Sequence, residues 1–133
     1  NKYGWVDTGS SFLPSEVIAA FLWAQLENID HIQSRRKHLW ELYHNNLLPI
    51  ANSRFTLPSI PIYATNNAHM FYLVCKNLEE RTMLIKYLKD NGILAVFHYL
   101  SLHSSPYYAE KHDGRDLPEC DRYADCLVRL PMY

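Results

Sequence analysis

Histidine supplies the first chemistry that can be read from this chain. His98 and His103 flank an irregular, aromatic stretch, His98-Tyr99-Leu100-Ser101-Leu102-His103-Ser104-Ser105-Pro106-Tyr107-Tyr108. It follows an apolar strand pattern, and the C-terminal ends of strands are where α/β folds gather ligand sites. An imidazole can donate to a phosphate or hydroxyl, or bind a metal ion. The spacing of five, with no third ligand nearby, is poor for zinc. His69, at the start of the strongest strand pattern, could join the pair in space. A structural role for each histidine is the simpler reading; position alone argues for function.

A second feature is Gly9-Ser10-Ser11, which precedes an apolar-striped helix. Small residues there leave backbone N–H groups free beside the helix's positive end, a ready anion site. A plain loop and helix cap fits the same residues. Ser10 and Ser11 have no base beside them in sequence, which argues against a serine nucleophile. Lys2, Lys37, Lys76, Lys86, Lys89 and Lys111 occupy polar or helix-surface positions, outside the apolar setting that lowers a lysine's pKa for imine chemistry. No glycine-rich phosphate loop, nucleophile elbow or paired metal motif occurs. The residues describe part of a binding site without a complete catalytic apparatus.

The elements that must carry these residues follow from periodicity. Residues 1–13 read as an arm and turn. Pro14, Ser15 and Glu16 suit a helix start. Apolar residues then recur every three or four positions from Val17 to Leu47, predicting a long helix over 14–48, with Asn28 and Asp30 allowing a bend and Pro49 ending it. Its first half is apolar nearly all round, which requires cover on more than one side. Arg35-Arg36-Lys37-His38 interrupts the stripe and reads as a solvated face. In residues 49–133, Arg54–Leu57 forms a short strand broken by Pro58 and Pro61, and Ala68–Cys75 is the best strand. A helix capped near Asn77 spans Glu79–Asp90, with Met83, Leu84, Tyr87 and Leu88 on one face and Asn91-Gly92 closing it. Ile93–Phe97 is a second strand, and Leu117-Pro118-Glu119 opens a helix to about Leu127. Strand, helix and strand at these lengths make an α/β layer.

Composition sets the bounds. The 133 residues suffice for one core; hydrophobic content is 48% and charged content 20%, which excludes disorder and fibres. A net charge of −1 gives no electrostatic case for nucleic acid or an anionic membrane. No apolar run is long enough to span a bilayer. Aromatic content of 14% suggests a large core or a surface that meets another domain or subunit. Cys75, Cys120 and Cys126 are odd in number and lack a Cys-x-x-Cys pattern, so free thiols are expected. The chain begins without methionine and stops at Arg129-Leu130-Pro131-Met132-Tyr133 with no closing helix, so a piece of a longer protein is expected.

The run Lys2-Tyr3-Gly4-Trp5-Val6-Asp7-Thr8-Gly9-Ser10-Ser11-Phe12-Leu13-Pro14-Ser15-Glu16, continued by Ala19-Ala20-Phe21-Leu22-Trp23-Ala24-Gln25-Leu26, resembles the pyridoxal-phosphate-dependent sugar-nucleotide aminotransferases. Leu57-Pro58-Ser59-Ile60-Pro61, Asn67-Ala68-His69-Met70-Phe71-Tyr72, Ala95-Val96-Phe97-His98-Tyr99 with Leu102-His103, and Arg129-Leu130-Pro131 extend the match over nearly the whole chain. The nearest branch is the one that moves an amino group from glutamate to C4 of TDP-4-keto-6-deoxy sugars, for surface polysaccharides of the enterobacterial common antigen or O-antigen kind. The resemblance implies aspartate aminotransferase fold type I, a homodimer and a cytoplasmic location. The present residues would be its linking helix and a truncated α/β (α+β) small domain, with a mainly antiparallel sheet covered by helices.

The large domain, with its imine-forming lysine and most phosphate contacts, would precede Asn1, and the chain alone would be inactive. Many members carry Gly-x-Asn-x-Arg before the helix, the asparagine reaching the cofactor phosphate of the other subunit. Here Gly9 matches, Ser11 stands at the asparagine position, where its hydroxyl can still donate, and Leu13 replaces the arginine. His98, Tyr99 and His103 match the loop that approaches the substrate. Two other readings compete: a non-catalytic α/β interaction module that dimerises through the long helix, and a histidine metal site.

Overall fold

The computed structural model describes residues 7, 9, 13–51 and 54–133. Its elements run α1 (Glu16–Leu26), α2 (Ile29–Ala51), β1 (Phe71–Val74), α3 (Leu78–Asp90), β2 (Val96–Phe97), α4 (Pro118–Cys126) and β3 (Leu127–Leu130). The sheet order is β1-β3-β2, so the last strand lies between the first two, antiparallel to both. The predicted class, α/β with an antiparallel sheet covered by helices, is the observed one. Thr56 extends the outer edge of β1 by exchanging two backbone hydrogen bonds with Val74, at 2.9 and 3.0 Å. Pro58 and Pro61 then prevent further pairing.

The predicted single helix over 14–48 is two helices. At the break the Asn28 side-chain amide donates to the Ala24 carbonyl at 3.1 Å, while the Asn28 backbone N–H bonds the Gln25 carbonyl, also at 3.1 Å. An amide side chain competes here for carbonyls that a continuous helix would use. At the other end Pro49 does not stop α2, which continues to Ala51. Its missing donor falls in the final turns, where the Ala51 carbonyl is satisfied by the N–H groups of Arg54 and Phe55.

Both helices differ sharply in burial. No residue of α1 is buried, and Phe21 and Trp23 remain 70% and 67% exposed. In contrast, α2 lays Leu39, Trp40, Tyr43 and Leu47 on the sheet around Phe71, Leu73 and Met132. The Tyr43 ring stacks on Phe71 at 5.1 Å, and its hydroxyl donates to the Pro131 carbonyl at 2.9 Å. The third helix adds Leu84, Ile85 and Leu88 over Val128 and Ala95. Met83 and Tyr87, predicted for the same face, point outward, because the sheet meets α3 one position further round. Asn77 caps α3 by accepting from the Glu80 N–H at 2.9 Å, and Gly92 closes it at a φ of 77°, as a left-handed cap requires.

The segment before β1 is a turn rather than strand. Asn66 and Asn67 side chains accept from the N–H groups of Ala68 and His69, at 2.8 and 3.0 Å. Ala68, fully buried, takes a φ of 51°. Arg36, expected on a solvated face, instead reaches from α2 to this turn. Its Nε donates to the Ala68 carbonyl at 3.1 Å and its Nη2 to the His69 carbonyl.

Candidate functional site

The alternation of side chains along paired strands divides the sheet into two faces. Phe71, Leu73, Val128 and Leu130 face the helices and make the core. On the opposite face Tyr72, Arg129 and Val96 form one cross-strand row. His98 lies two residues beyond Val96, immediately after β2, and so continues that face. Its ring meets Tyr99 edge-on at a centroid distance of 4.7 Å.

His98 is half-buried, and its pKa is lowered from 6.5, first by burial and then by the positive charge of Arg129 and by His69. The imidazole is therefore neutral at neutral pH, with one donor and one acceptor nitrogen. Arg129 is a permanent cation. The Nδ1 of His98 and the Nε of Arg129 are both buried without a hydrogen-bond partner. His69 and Arg129 line one end and wall of a recess of about 240 Å³, together with Met70, Leu94, Val96 and Tyr133. His69 and Arg129 share this recess, and both lie near enough to His98 to act on its charge.

His103 is placed elsewhere. Its Nε2 sits 3.0 Å from Oδ1 of Asp121 on α4, and the same oxygen accepts from the Ser101 hydroxyl at 3.0 Å. Its ring lies 5.3 Å from that of His112. Both line a hollow of about 370 Å³ with Tyr108, Lys111, Arg115 and Cys120. A neighbouring hollow of about 320 Å³ takes His98 and Tyr99, and the two share Leu102 and Cys120 on their rims. Ser11 lies outside the described residues. Sequence reasoning quoted Arg129 in the Arg129-Leu130-Pro131 match and gave it no role in a site. Its signal was an arginine inside an apolar run, Leu127-Val128-Arg129-Leu130.

Cys75 and Cys126 are buried and free, and burial raises both thiols, which leaves them as inert packing groups. Among the described residues no group of three or more His, Cys, Asp or Glu side chains could hold a metal ion. Among them also, no helix is long and apolar enough to cross a membrane. Lys37, Lys76, Lys86, Lys89 and Lys111 are all exposed, so none has the desolvated setting that imine chemistry with pyridoxal phosphate needs. The described residues can hold an anion and orient polar groups.

The model of the DegT/DnrJ/EryC1/StrS aminotransferase family matches residues 2–133, and the chain belongs to this family. Solved structures share the fold. Helicobacter pylori PseC, an aminotransferase involved in the biosynthesis of pseudoaminic acid, is 18% identical with a TM-score of 0.75, over 94% of this chain and 34% of that one. A DegT/DnrJ/EryC1/StrS aminotransferase from Brucella abortus is 21% identical with a TM-score of 0.72, over 98% and 36%. The putative sugar aminotransferase Spr1654 from Streptococcus pneumoniae, in its PMP form, is 24% identical with a TM-score of 0.64, over 84% and 28%. That protein is also known in a PLP form. The chain spans about a third of the length of these structures.

Proposed function

We propose that the chain is the linking helices and small domain of a pyridoxal-phosphate-dependent sugar-nucleotide aminotransferase. The whole enzyme moves an amino group from glutamate to C4 of a TDP-4-keto-6-deoxy sugar. It works as a cytoplasmic homodimer, supplying surface polysaccharide of the enterobacterial common antigen or O-antigen kind. The observation that carries the reading is the family match along residues 2–133 together with the second face of the sheet, where His98, with Tyr99 against it, stands near Arg129. When bound, the cofactor supplies the electron sink for amino transfer.

The chain's own part is positioning. His98 and Tyr99 line the sugar-nucleotide site, the first through a neutral imidazole that can donate to or accept from a sugar hydroxyl. His103, held by Asp121, keeps the loop between them folded against α4 and borders the same region. Ser11 donates to the cofactor phosphate of the neighbouring subunit. The 133 residues alone carry out no transfer, since the lysines among the described residues are all solvated.

The test is the product of the complete gene, loaded with pyridoxal phosphate and given glutamate and TDP-4-keto-6-deoxyglucose. Mass spectrometry is expected to find the oxo group replaced by an amine. A gene without a lysine in an aminotransferase context upstream of Asn1, or a product that aminates no nucleotide-linked keto sugar, would overturn the assignment.

A further inference from the structure

We infer that Arg54, Lys76 and Arg122 form a binding recess for a single phosphate group, at the opposite end of β1 from His69 and Arg129.

Strand β1 separates two hollows. His69 and Met70, which precede the strand, line the recess that Arg129 shares; Val74, Cys75 and Lys76, at its other end, line a second one of about 150 Å³. Four residues of strand, roughly 13 Å of chain, lie between them. Three elements each bring one cation to the second recess. Arg54 comes from the turn after α2, where its N–H bonds the Ala51 carbonyl at 2.9 Å. Lys76 comes from the link between β1 and α3, and Arg122 from α4. Backbone bonds fix these carriers against one another. Thr56 and Val74 exchange two, and the Cys75 N–H donates to the Cys126 carbonyl at 2.9 Å.

No carboxylate lines this recess among the described residues. The acids nearby in sequence are engaged otherwise. Glu80 accepts from the Lys76 backbone N–H at 3.3 Å, and Glu119 takes the Nη1 of Arg122 at 3.2 Å, one corner of a guanidinium that carries five N–H donors. Neither Arg54 nor Lys76 pairs with an acidic side chain among the described residues. In a chain of net charge −1 the recess is therefore a local reversal of sign. Three like charges gathered together repel, and an anion with several acceptor oxygens offsets that repulsion. Arginine and lysine both bind phosphate, the first as a fork and the second as a point charge. The volume limits the occupant. Sites for drug-sized ligands begin near about 300 Å³, so this recess takes one phosphate group and excludes a whole nucleotide.

The inference does not depend on the amino-transfer reading. It is tested by amide chemical shifts of the 133-residue chain, titrated at constant pH and ionic strength with inorganic phosphate, methyl phosphate and acetate. Phosphate should give saturating shifts at Arg54, Thr56, Lys76 and Arg122, and none at His69, Leu94 or Arg129. Methyl phosphate binding as tightly assigns the recess to the phosphate end of a larger molecule; binding of inorganic phosphate alone assigns it to the free ion. Acetate, with one charge, should bind more weakly than either. Arg54→Gln should weaken phosphate binding by about ten-fold or more, the scale of a charge-assisted hydrogen bond, and adding Lys76→Gln should abolish saturation. Both side chains are exposed, so the spectrum away from the recess should be unchanged in each variant. Shifts that never saturate, shifts centred on Arg129, acetate binding as tight as phosphate, or saturation that survives in the double variant overturns the site.

Discussion

Arg36 links the longest helix to the turn that carries His69. Its two hydrogen bonds reach the carbonyls of His69 and of Ala68, a buried residue with positive φ, a conformation that costs free energy unless its surroundings hold it. Arg36→Ala should destabilise the fold by about 1–3 kcal/mol, the cost of leaving part-buried acceptors unpaired, as read by urea denaturation. Arg36→Lys should recover little, because one ammonium cannot reproduce the fork. His98 makes a pH-dependent contribution of defined sign. Its folded pKa lies below the ordinary 6.5, so the unfolded chain binds more protons in between. Stability is full above that ordinary value and is lost as pH falls through it toward the folded pKa. Melting temperature should therefore drop between about pH 7.5 and pH 5, and His98→Gln should flatten part of that drop.

Helix caps follow directly from sequence at the element scale. Asn77 was expected near the start of α3 and caps it, and Asn77→Ala should cost about 1 kcal/mol of stability, measured by thermal or chemical denaturation. Strand β3 was not legible. Leu127-Val128-Arg129-Leu130 follows α4 without a turn residue, and its arginine spoils both the alternating and the continuous apolar patterns. Its strand identity comes from pairing with β1 and β2, which lie far away in sequence. The same reason hid Arg129, since its neighbours Tyr72 and Val96 are set by register alone. The placement of His98 and Tyr99 directly after β2 was legible because position after a strand is local information. Ala68 to Met70 were read as strand from their apolar content, but the Asn66 and Asn67 side chains turn the backbone there first.

For the whole molecule, α1 carries the main consequence. Val17, Ile18, Phe21, Leu22, Trp23 and Leu26 are all exposed, so the helix contributes nothing to this core. Phe21→Glu should leave the stability of the 133-residue chain within about 0.5 kcal/mol, as surface changes do. In the complete gene product the same change should prevent assembly, seen as aggregation or loss of the proposed dimer in size-exclusion chromatography. Unimpaired assembly would mean that the helix stays solvated.

Hydrogen–deuterium exchange of the complete gene product, supplied with pyridoxal phosphate, with and without the proposed TDP-keto sugar tests most directly whether the second face of the sheet is where substrate meets this domain. Peptides covering 94–103 and 127–133 should gain protection, while those covering α3, on the opposite face, should not change. Protection confined to α3, or none in either strand region, would contradict the account.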